Sequence, residues 1–182
     1  MNRNRLRGLL LALICTLALA APGGAAAVVS EGSFSEAQRL LEEIRKHRAT
    51  AWHWQLVMGK RPTRTSLRER ETTRLAPLVH LRDRWKDRAL RARARGKRPP
   101  HLAQWRCIHR YEGAWTDPNA PYYGGLQMDL SFQRAYGGYL LRRKGTANRW
   151  RPAEQMWTAE KALRAGRGFH PWPTAARLCG LI

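Results

Sequence analysis

The sequence predicts a mainly α fold in which a basic helical extension precedes a compact C-terminal domain. Apolar residues recur at helical spacing over much of residues 31–100, and glycine is scarce from residue 34 to 100 but occurs nine times afterwards. Hydrophobic residues make up 43% of the chain, which is enough to form a core. A length of 182 residues suits one domain with an extension and excludes a large multidomain enzyme.

Residues 1–27 have the pattern of a secretory signal peptide. Three arginines lie among the first eight residues, a largely apolar run extends from Leu9 to Ala20, and a stretch of alanines ends at Ala27. This order is typical of export signals, and we expect cleavage after Ala20 or Ala27. The run is shorter than the roughly 20 apolar residues of a transmembrane anchor, which is the alternative. We therefore expect a secreted or cell-envelope protein with no stable membrane span after cleavage.

Positive charge dominates the composition. The chain has 34 Lys and Arg against 13 Asp and Glu, a formal net charge of +21. Such an excess favours a polyanionic partner, either nucleic acid, an anionic membrane or an anionic wall polymer. Because the predicted signal peptide indicates export, we expect an envelope partner and no nucleic acid. A DNA-binding protein is the alternative if the chain stays uncleaved in the cytoplasm.

Residues 28–100 are expected to form two basic helices and a linker. The first helix starts near Ser35 and ends before Gly59, and Ser66 caps the second helix, which Pro77 kinks or divides. The two helices are expected to form an antiparallel hairpin or a loosely docked extension.

The second helix is expected to fray into residues 91–98, before a linker at Pro99 and Pro100, and residues 88–98 form an arginine-rich run. The run either adheres to an anionic wall polymer or membrane surface, or forms a solvated helix face that ends in a flexible tether.

Cysteine and histidine usage predicts a disulfide and no cofactor. Cys107 and Cys179 remain after removal of the signal peptide, and an even number in an exported chain indicates a single disulfide. Two unpaired thiols are the alternative. The six histidines show no metal-binding spacing, so we expect neither a metal nor another cofactor.

Glu112 is the candidate catalytic residue. A predicted helix begins at His101 and ends at Gly113, and it places Trp105, Ile108 and Glu112 on one face. The negative end of the helix dipole and the apolar neighbours both disfavour a charged carboxylate, so we expect a raised pKa. A carboxylic acid that stays protonated near neutral pH can protonate a glycosidic oxygen.

Aromatic residues and paired glycines follow this helix. Trp115 comes first, and Tyr122 and Tyr123 directly precede Gly124 and Gly125. Paired glycines let a backbone approach a ligand closely, and sugar rings stack on aromatic faces. We therefore expect this segment to bind a glycan.

The segment from Trp105 to Gly180 resembles the transglycosylase-like domain of resuscitation-promoting factors. The matching residues keep the family's order and approximate spacing. They are Trp105, Ile108, Glu112-Gly113, Trp115, YYGGLQM (122–128), Tyr136-Gly137-Gly138, Ala153-Glu154-Gln155, Ala159 to Leu163, Gly168, Trp172-Pro173 and Cys179-Gly180.

This resemblance implies an α+β lysozyme-like fold over residues 101–182 and a substrate among peptidoglycan glycan strands, cleaved between N-acetylmuramic acid and N-acetylglucosamine. It implies that Glu112 is the catalytic acid, that Tyr122 and Tyr123 form the cleft wall, and that Gln127 lines the cleft. Trp115 and Gly125 belong to the same implied substrate-binding set.

Two departures from the family stand out. The loop between Glu112 and Tyr123 is about three residues shorter than in familiar members. Tyr111 occupies the usual cysteine position, and Cys107 lies one helical turn earlier on the same face, from which pairing with Cys179 stays geometrically feasible.

None of the other four carboxylates of the C-terminal domain is expected to act as a nucleophile. Asp117 and Asp129 are expected as caps, and Glu154 and Glu160 on a solvated helix face. With no convincing nucleophile, a lytic transglycosylase is expected, in which Glu112 acts as acid and then as base to close a 1,6-anhydro ring. A hydrolytic muramidase and a non-catalytic glycan-binding module are the alternatives. Anionic wall polymers and a partner cell-wall hydrolase complete the expected partners.

Overall fold

The computed structural model describes residues 31–182, so the predicted signal peptide and both cleavage positions lie outside the described residues. The described chain is mainly helical with a two-stranded sheet, which confirms the mainly α prediction. None of its helices has the length and apolar character needed to cross a membrane. The elements are α1 (Glu31–Val57), α2 (Leu67–Glu71), α3 (Leu75–Gly96), α4 (Leu102–Glu112), β1 (Tyr122–Tyr123), β2 (Met128–Asp129), α5 (Leu130–Lys144), a 3₁₀ turn (Ala147–Arg149), α6 (Pro152–Ala162), a wide helical turn (Leu163–Arg167) and α7 (Pro173–Leu178).

The second helix is divided into two, as one of the two alternatives expected, but the break lies at residues 72–74 and not at Pro77. Ser66 caps α2 in a capping box with Glu69, as the sequence predicts for a helix start. The chain leaves this helix after Glu71 and re-enters α3 at Leu75. Pro77 is therefore the third residue of α3, where its missing N–H removes no helical hydrogen bond.

The prediction of an antiparallel hairpin is wrong, because α1 and α3 run in the same direction. Glu43 of α1 accepts a 3.3 Å bond from Arg82 of α3, and farther along both helices the rings of Trp52 and Trp85 lie 6.1 Å apart. The connection through residues 58–74, which includes α2, is long enough to bring the chain back along α1. A buried cluster joins the two helices, formed by Leu40, Ile44, Ala51, Leu78, Leu81, Trp85 and Ala89.

The extension is docked firmly, so the interpretations of a frayed helix and a flexible tether are also wrong. The end of α3 packs closely against the C-terminal residues through two small residues. Ala92 and Gly96 are buried there, while Arg93 and Arg95 between them are exposed. The indole N–H of Trp157 on α6 donates to the carbonyl of Gly96 at 2.7 Å. Residues of α1 and α3 share one core with the C-terminal residues, including Trp54, Val57, Met58, Ala92, Trp105, Ile108, Leu126, Leu140, Met156, Trp157 and Trp172.

Glu154 was expected on a solvated face and is instead fully buried. Its carboxylate accepts bonds from Lys144 Nζ at 2.6 Å, and its Oε1 lies 2.8 Å from Nε2 of His53 on α1. Burial by itself would raise the pKa of Glu154, but these bonds and one from the backbone N–H of Arg151 outweigh it and lower the pKa to about 2. The prediction failed because one of these partners, His53, is 101 residues away, where no local pattern identifies it.

Glu160 is the second buried carboxylate that was expected in solvent, and it holds the start of α4. It accepts bonds from the indole N–H of Trp105 and the backbone N–H of His101, both at 2.8 Å. Glu160 is 1% exposed. The helix that ends in the candidate catalytic residue is thus fixed at its first turn by a charged acceptor.

The predicted disulfide joins Cys107 on α4 to Cys179 at the end of α7, with 6.0 Å between the Cα atoms. The alternative of two unpaired thiols is therefore wrong. Together with Glu160, this bond ties α4 to α6 and α7, so that the first turn and the middle of the helix that ends at Glu112 are held.

Candidate active site

Glu112 is the last residue of α4, on the face that α4 packs into the core. Trp105 and Ile108 on that face are both fully buried, and Glu112 is half-buried at its end. The helix stops because Gly113 adopts a fully extended conformation. Burial raises the pKa of Glu112, in the expected direction, and no other group contributes to that shift. Within the described chain, the Glu112 carboxylate has neither a hydrogen-bond donor nor a cationic partner.

A short hairpin carries the next set of predicted site residues. Tyr122 pairs with Asp129 and Tyr123 with Met128 in antiparallel register. Gly124 and Gln127 both have positive φ, of 73° and 43°. This conformation is uncommon outside glycine, and Gln127 is held in it by a 2.9 Å bond from its side-chain Nε2 to the carbonyl of Gly124.

The amide of Gln127 brings the hairpin next to Gly113, the residue that follows Glu112. Its Nε2 also donates to Asp117 Oδ2 at 2.8 Å. A Cβ placed on Gly113 would lie 2.9 Å from Gln127 Nε2 and 3.5 Å from Asp117 Oδ2. Gln127 and Asp117 therefore pack against the residue that directly follows Glu112, where a Cβ would crowd the Gln127 amide.

A groove of about 460 Å³ opens beside Gln127. Two predicted substrate-binding residues, Tyr122 and Gln127, line it, and Tyr122 is 51% exposed. Residues with no predicted role complete the lining: Met128, Asp129, Ser131, Phe132, Ala135, Tyr136, Arg167, Pro171 and Trp172. Phe132 and Tyr136 follow the cap residue of α5 by one and two turns, a spacing that sequence reasoning could have used. Arg167 comes from the wide turn after α6, which no sequence signal announced.

The other predicted substrate-binding residues lie elsewhere. Trp115 stacks on His109 with 3.9 Å between ring centres, and both border a separate hollow with Arg106 and Arg110. Gly125 is buried beneath this pair, and its carbonyl lies 3.0 Å from His109 Nδ1. Tyr123, which forms no part of the groove lining, is half-buried against the core.

Gln155 is a residue whose role sequence reasoning missed. It is fully buried, its Oε1 accepts from the backbone N–H of Gly125 at 2.9 Å, and its Nε2 donates to the carbonyls of Trp115 and Ala147 at 2.8 and 2.9 Å. One side chain thus fixes the hairpin, the loop after α4 and the turn before α6. The only sequence signal was its place in the Ala153-Glu154-Gln155 string.

Asp117 and Asp129 are caps, as predicted. Asp117 Oδ1 accepts from the backbone N–H of Asn119 at 3.1 Å, and this bond together with the one from Gln127 lowers the pKa of Asp117. Asp129 caps α5 by accepting from the backbone N–H of Phe132 at 2.7 Å, which lowers the pKa of Asp129. Among residues 31–182 there is no cluster of three or more His, Cys, Asp or Glu that would hold a metal ion.

Comparison of the chain with protein-family models, curated proteins and solved structures finds no match. The inference of function therefore rests on the residues around Glu112, together with the resemblance of residues 105–180 in sequence.

Proposed function

We propose that residues 101–182 form a lysozyme-like domain of an exported enzyme that cleaves peptidoglycan glycan strands between N-acetylmuramic acid and N-acetylglucosamine, with Glu112 as its one catalytic carboxylate. The supporting observation is that Glu112 is the only one of the five carboxylates in this segment without a partner. Asp117, Asp129, Glu154 and Glu160 all accept hydrogen bonds that hold the fold.

The environment of Glu112 suits an acid that donates a proton. Burial raises the pKa of Glu112, which keeps the carboxyl protonated at a higher pH than an exposed one. A protonated Glu112 gives its proton to the glycosidic oxygen as the bond from that oxygen to C1 breaks. The resulting carboxylate accepts the proton of the C6 hydroxyl of the same sugar, whose oxygen bonds to C1. The products are a 1,6-anhydro end and a free hydroxyl, and no water is consumed.

The groove beside Gln127 offers contacts for the sugar. Both N–H donors of the Gln127 amide are used within the protein, on Asp117 and Gly124, which leaves its Oε1 as an acceptor for a sugar hydroxyl or acetamide N–H. Tyr122, half-exposed, and Tyr136 present aromatic rings on which sugar faces stack. The groove thus combines a fixed polar acceptor with aromatic walls, as glycan sites do.

A hydrolytic muramidase is the second candidate, and Asp117 is the observation that favours it. Two carboxyls with pKa values displaced in opposite directions are typical of an acid and base pair, and Asp117 contacts the same glycine that follows Glu112. Against this role, both oxygens of Asp117 are engaged by Asn119 and Gln127. We therefore prefer the mechanism with a single carboxylate.

The test uses residues 28–182, which include every described element, incubated with purified peptidoglycan. Released ends are identified by mass spectrometry for the wild type, for Glu112→Gln and for Glu42→Gln, an exposed carboxylate on α1 that serves as the matched control. We expect 1,6-anhydro ends from the wild type and from Glu42→Gln, and none from Glu112→Gln, whose melting temperature should be equal to that of the wild type or higher.

Other outcomes assign the alternatives. Reducing ends that disappear in Asp117→Asn as well as in Glu112→Gln would make the enzyme a hydrolase. If no protein releases ends while all three sediment with the cell wall, the chain is a glycan-binding module.

A further inference from the structure

A second and larger groove lies where the helical extension meets α6. Its volume is about 910 Å³, and it shares no lining residue with the groove beside Gln127. Five of its lining residues are basic and none is acidic. The lining consists of Met58, Lys60, Leu90, Arg93, Ala94, Arg95, Lys97, Arg98 and Trp157, which we call the basic groove.

The charges of the basic groove are uncompensated within the described chain. No carboxylate lies within 4.0 Å of any of its five cations, whereas cations elsewhere have partners, such as Arg82 with Glu43 and Arg84 with Glu69. A concave surface with a single sign of charge concentrates the electrostatic potential and attracts ligands of the opposite sign. The ligand of this groove is therefore expected to be anionic.

The floor and one wall of the basic groove are apolar. Met58 and Trp157 are 3% and 6% exposed at its base, and Leu90 on the wall is 56% exposed. Leu90 and Ala94 lie four residues apart on α3, and Lys97, the residue that caps the C-terminal end of α3, follows three residues later. Apolar and basic side chains therefore share one face at this end of the helix. The indole N–H of Trp157 is already bonded within the protein and needs no polar ligand.

This combination distinguishes between kinds of anion. A soluble phosphate polymer gains from the cations but gains nothing from an apolar wall. A lipid with a phosphate headgroup gains from both, because its methylene groups leave water when they cover Leu90 and Ala94. Basic residues beside exposed apolar ones are typical of surfaces that lie at a membrane interface.

We propose that the basic groove binds an anionic phospholipid and docks the protein on a membrane surface. The cations of the rim contact the phosphate, and Leu90 and Ala94 contact the first methylene groups of an acyl chain. A volume of about 910 Å³ accommodates a headgroup and part of a chain. This inference does not rest on the proposed glycosidase activity, because it involves different residues.

Flotation of residues 28–182 with vesicles tests the proposal. Vesicles of phosphatidylcholine with one quarter phosphatidylglycerol are compared with pure phosphatidylcholine. Leu90→Asn has a matched control in Leu178→Asn, since the two leucines are 56% and 59% exposed. We expect affinity for the anionic vesicles to fall several-fold in Leu90→Asn and to stay unchanged in Leu178→Asn.

A second pair of variants tests the cations of the basic groove, and both variants of the pair have the same net charge. The Lys97→Gln/Arg98→Gln double variant is compared with the Arg134→Gln/Arg177→Gln variant, which removes two exposed cations outside the groove. A cation at an anionic surface contributes about fivefold in affinity, so the groove variant should bind about 30-fold more weakly. The control should change less than about threefold, and melting temperatures should match throughout.

Three results would overturn the proposal. Equal losses in the two double variants would mean diffuse attraction without a site. Equal binding to neutral and anionic vesicles would mean that the net negative charge of the lipid plays no part in binding. Binding of long-chain inorganic polyphosphate that depends on Lys97 and Arg98 but not on Leu90, with no binding to vesicles, would assign the groove to a soluble polyanion.

Discussion

The buried carboxylate of Glu154 permits a quantitative test of how the extension is joined to the C-terminal residues. Glu154 lies on α6, and its partners are Lys144 on α5 and His53 on α1. In Glu154→Gln the side chain keeps its size but loses its charge, which leaves the ammonium group of Lys144 without a counter-ion. Removing one partner of a buried ion pair costs about 3–5 kcal/mol, so we expect the free energy of unfolding to fall by about that amount at neutral pH.

The pH dependence of the same group follows from its pKa. Folding lowers the pKa of Glu154 from its usual 4.5 to about 2. At about 1.4 kcal/mol for each unit, the ionised carboxylate contributes about 3 kcal/mol of stability near pH 7. Because the folded pKa is the lower one, this contribution is present above pH 4.5 and disappears as the pH falls towards 2. About 1.4 kcal/mol of it is lost between pH 7 and pH 3.5.

Urea unfolding at pH 7 and pH 3.5, followed by circular dichroism, measures both effects. The stability difference between the wild type and Glu154→Gln should shrink by about 1.4 kcal/mol at the lower pH. Glu42→Gln, an exposed control, should stay within about 0.5 kcal/mol of the wild type at pH 7. Adding Lys144→Met to Glu154→Gln should restore part of the stability, because the uncompensated charge is gone. A difference between wild type and Glu154→Gln that is the same at both pH values would refute the lowered pKa.

Three further predictions concern the pKa of Glu112, the disulfide and the packing of α3 against Trp54. Release of glycan ends should decline as the pH rises past the raised pKa of Glu112, because the protonated acid is the active form, and a pH–rate profile without that alkaline decline would contradict this. Reducing the disulfide, which joins residues 72 apart, should lower the free energy of unfolding in urea by about 4 kcal/mol, and an unchanged midpoint would contradict it. Gly96→Ala should destabilise by at least about 1–3 kcal/mol, because its Cβ would overlap the Trp54 ring. Gly138→Ala on α5, where a Cβ meets only the end of the Arg142 side chain, should keep or raise the melting temperature.

The sequence predicted features that depend on neighbouring residues, such as helix caps. It did not predict features that depend on residues far apart in the chain. The caps at Ser66 and Asp129 follow from side chains that reach only two or three residues along the chain, and the sequence predicts both. The burial of Glu154 depends on His53, which is 101 residues away, and a charged residue on a helix faces solvent unless such a partner exists. The direction of α3 relative to α1 likewise depends on packing that no local pattern encodes.

The candidate site divides in the same way. The spacing of Glu112 from Trp105 and Ile108 is enough to predict that Glu112 lies at the end of the buried face of α4. The contact between Gln127 and Gly113 depends on a turn in which both Gly124 and Gln127 have a positive φ. A positive φ can be predicted from the sequence for the glycine but not for Gln127. The location of Trp115 depends on Gln155 of α6, whose side-chain amide donates to the carbonyl of Trp115. Although Trp115 is near Glu112 in sequence, it therefore lines a different hollow.

The energetics of Glu112 favour catalysis over a purely adhesive role. Its raised pKa means that folding disfavours its charged form, so at a pH above that pKa this carboxylate lowers the stability of the protein. The rest of the structure fixes the helix that carries it, through Glu160 at its first turn and the Cys107 disulfide at its middle. A module that only adheres to glycan gains nothing from a destabilising, unpaired acid held in place by such support, whereas an enzyme that must protonate a leaving oxygen requires one.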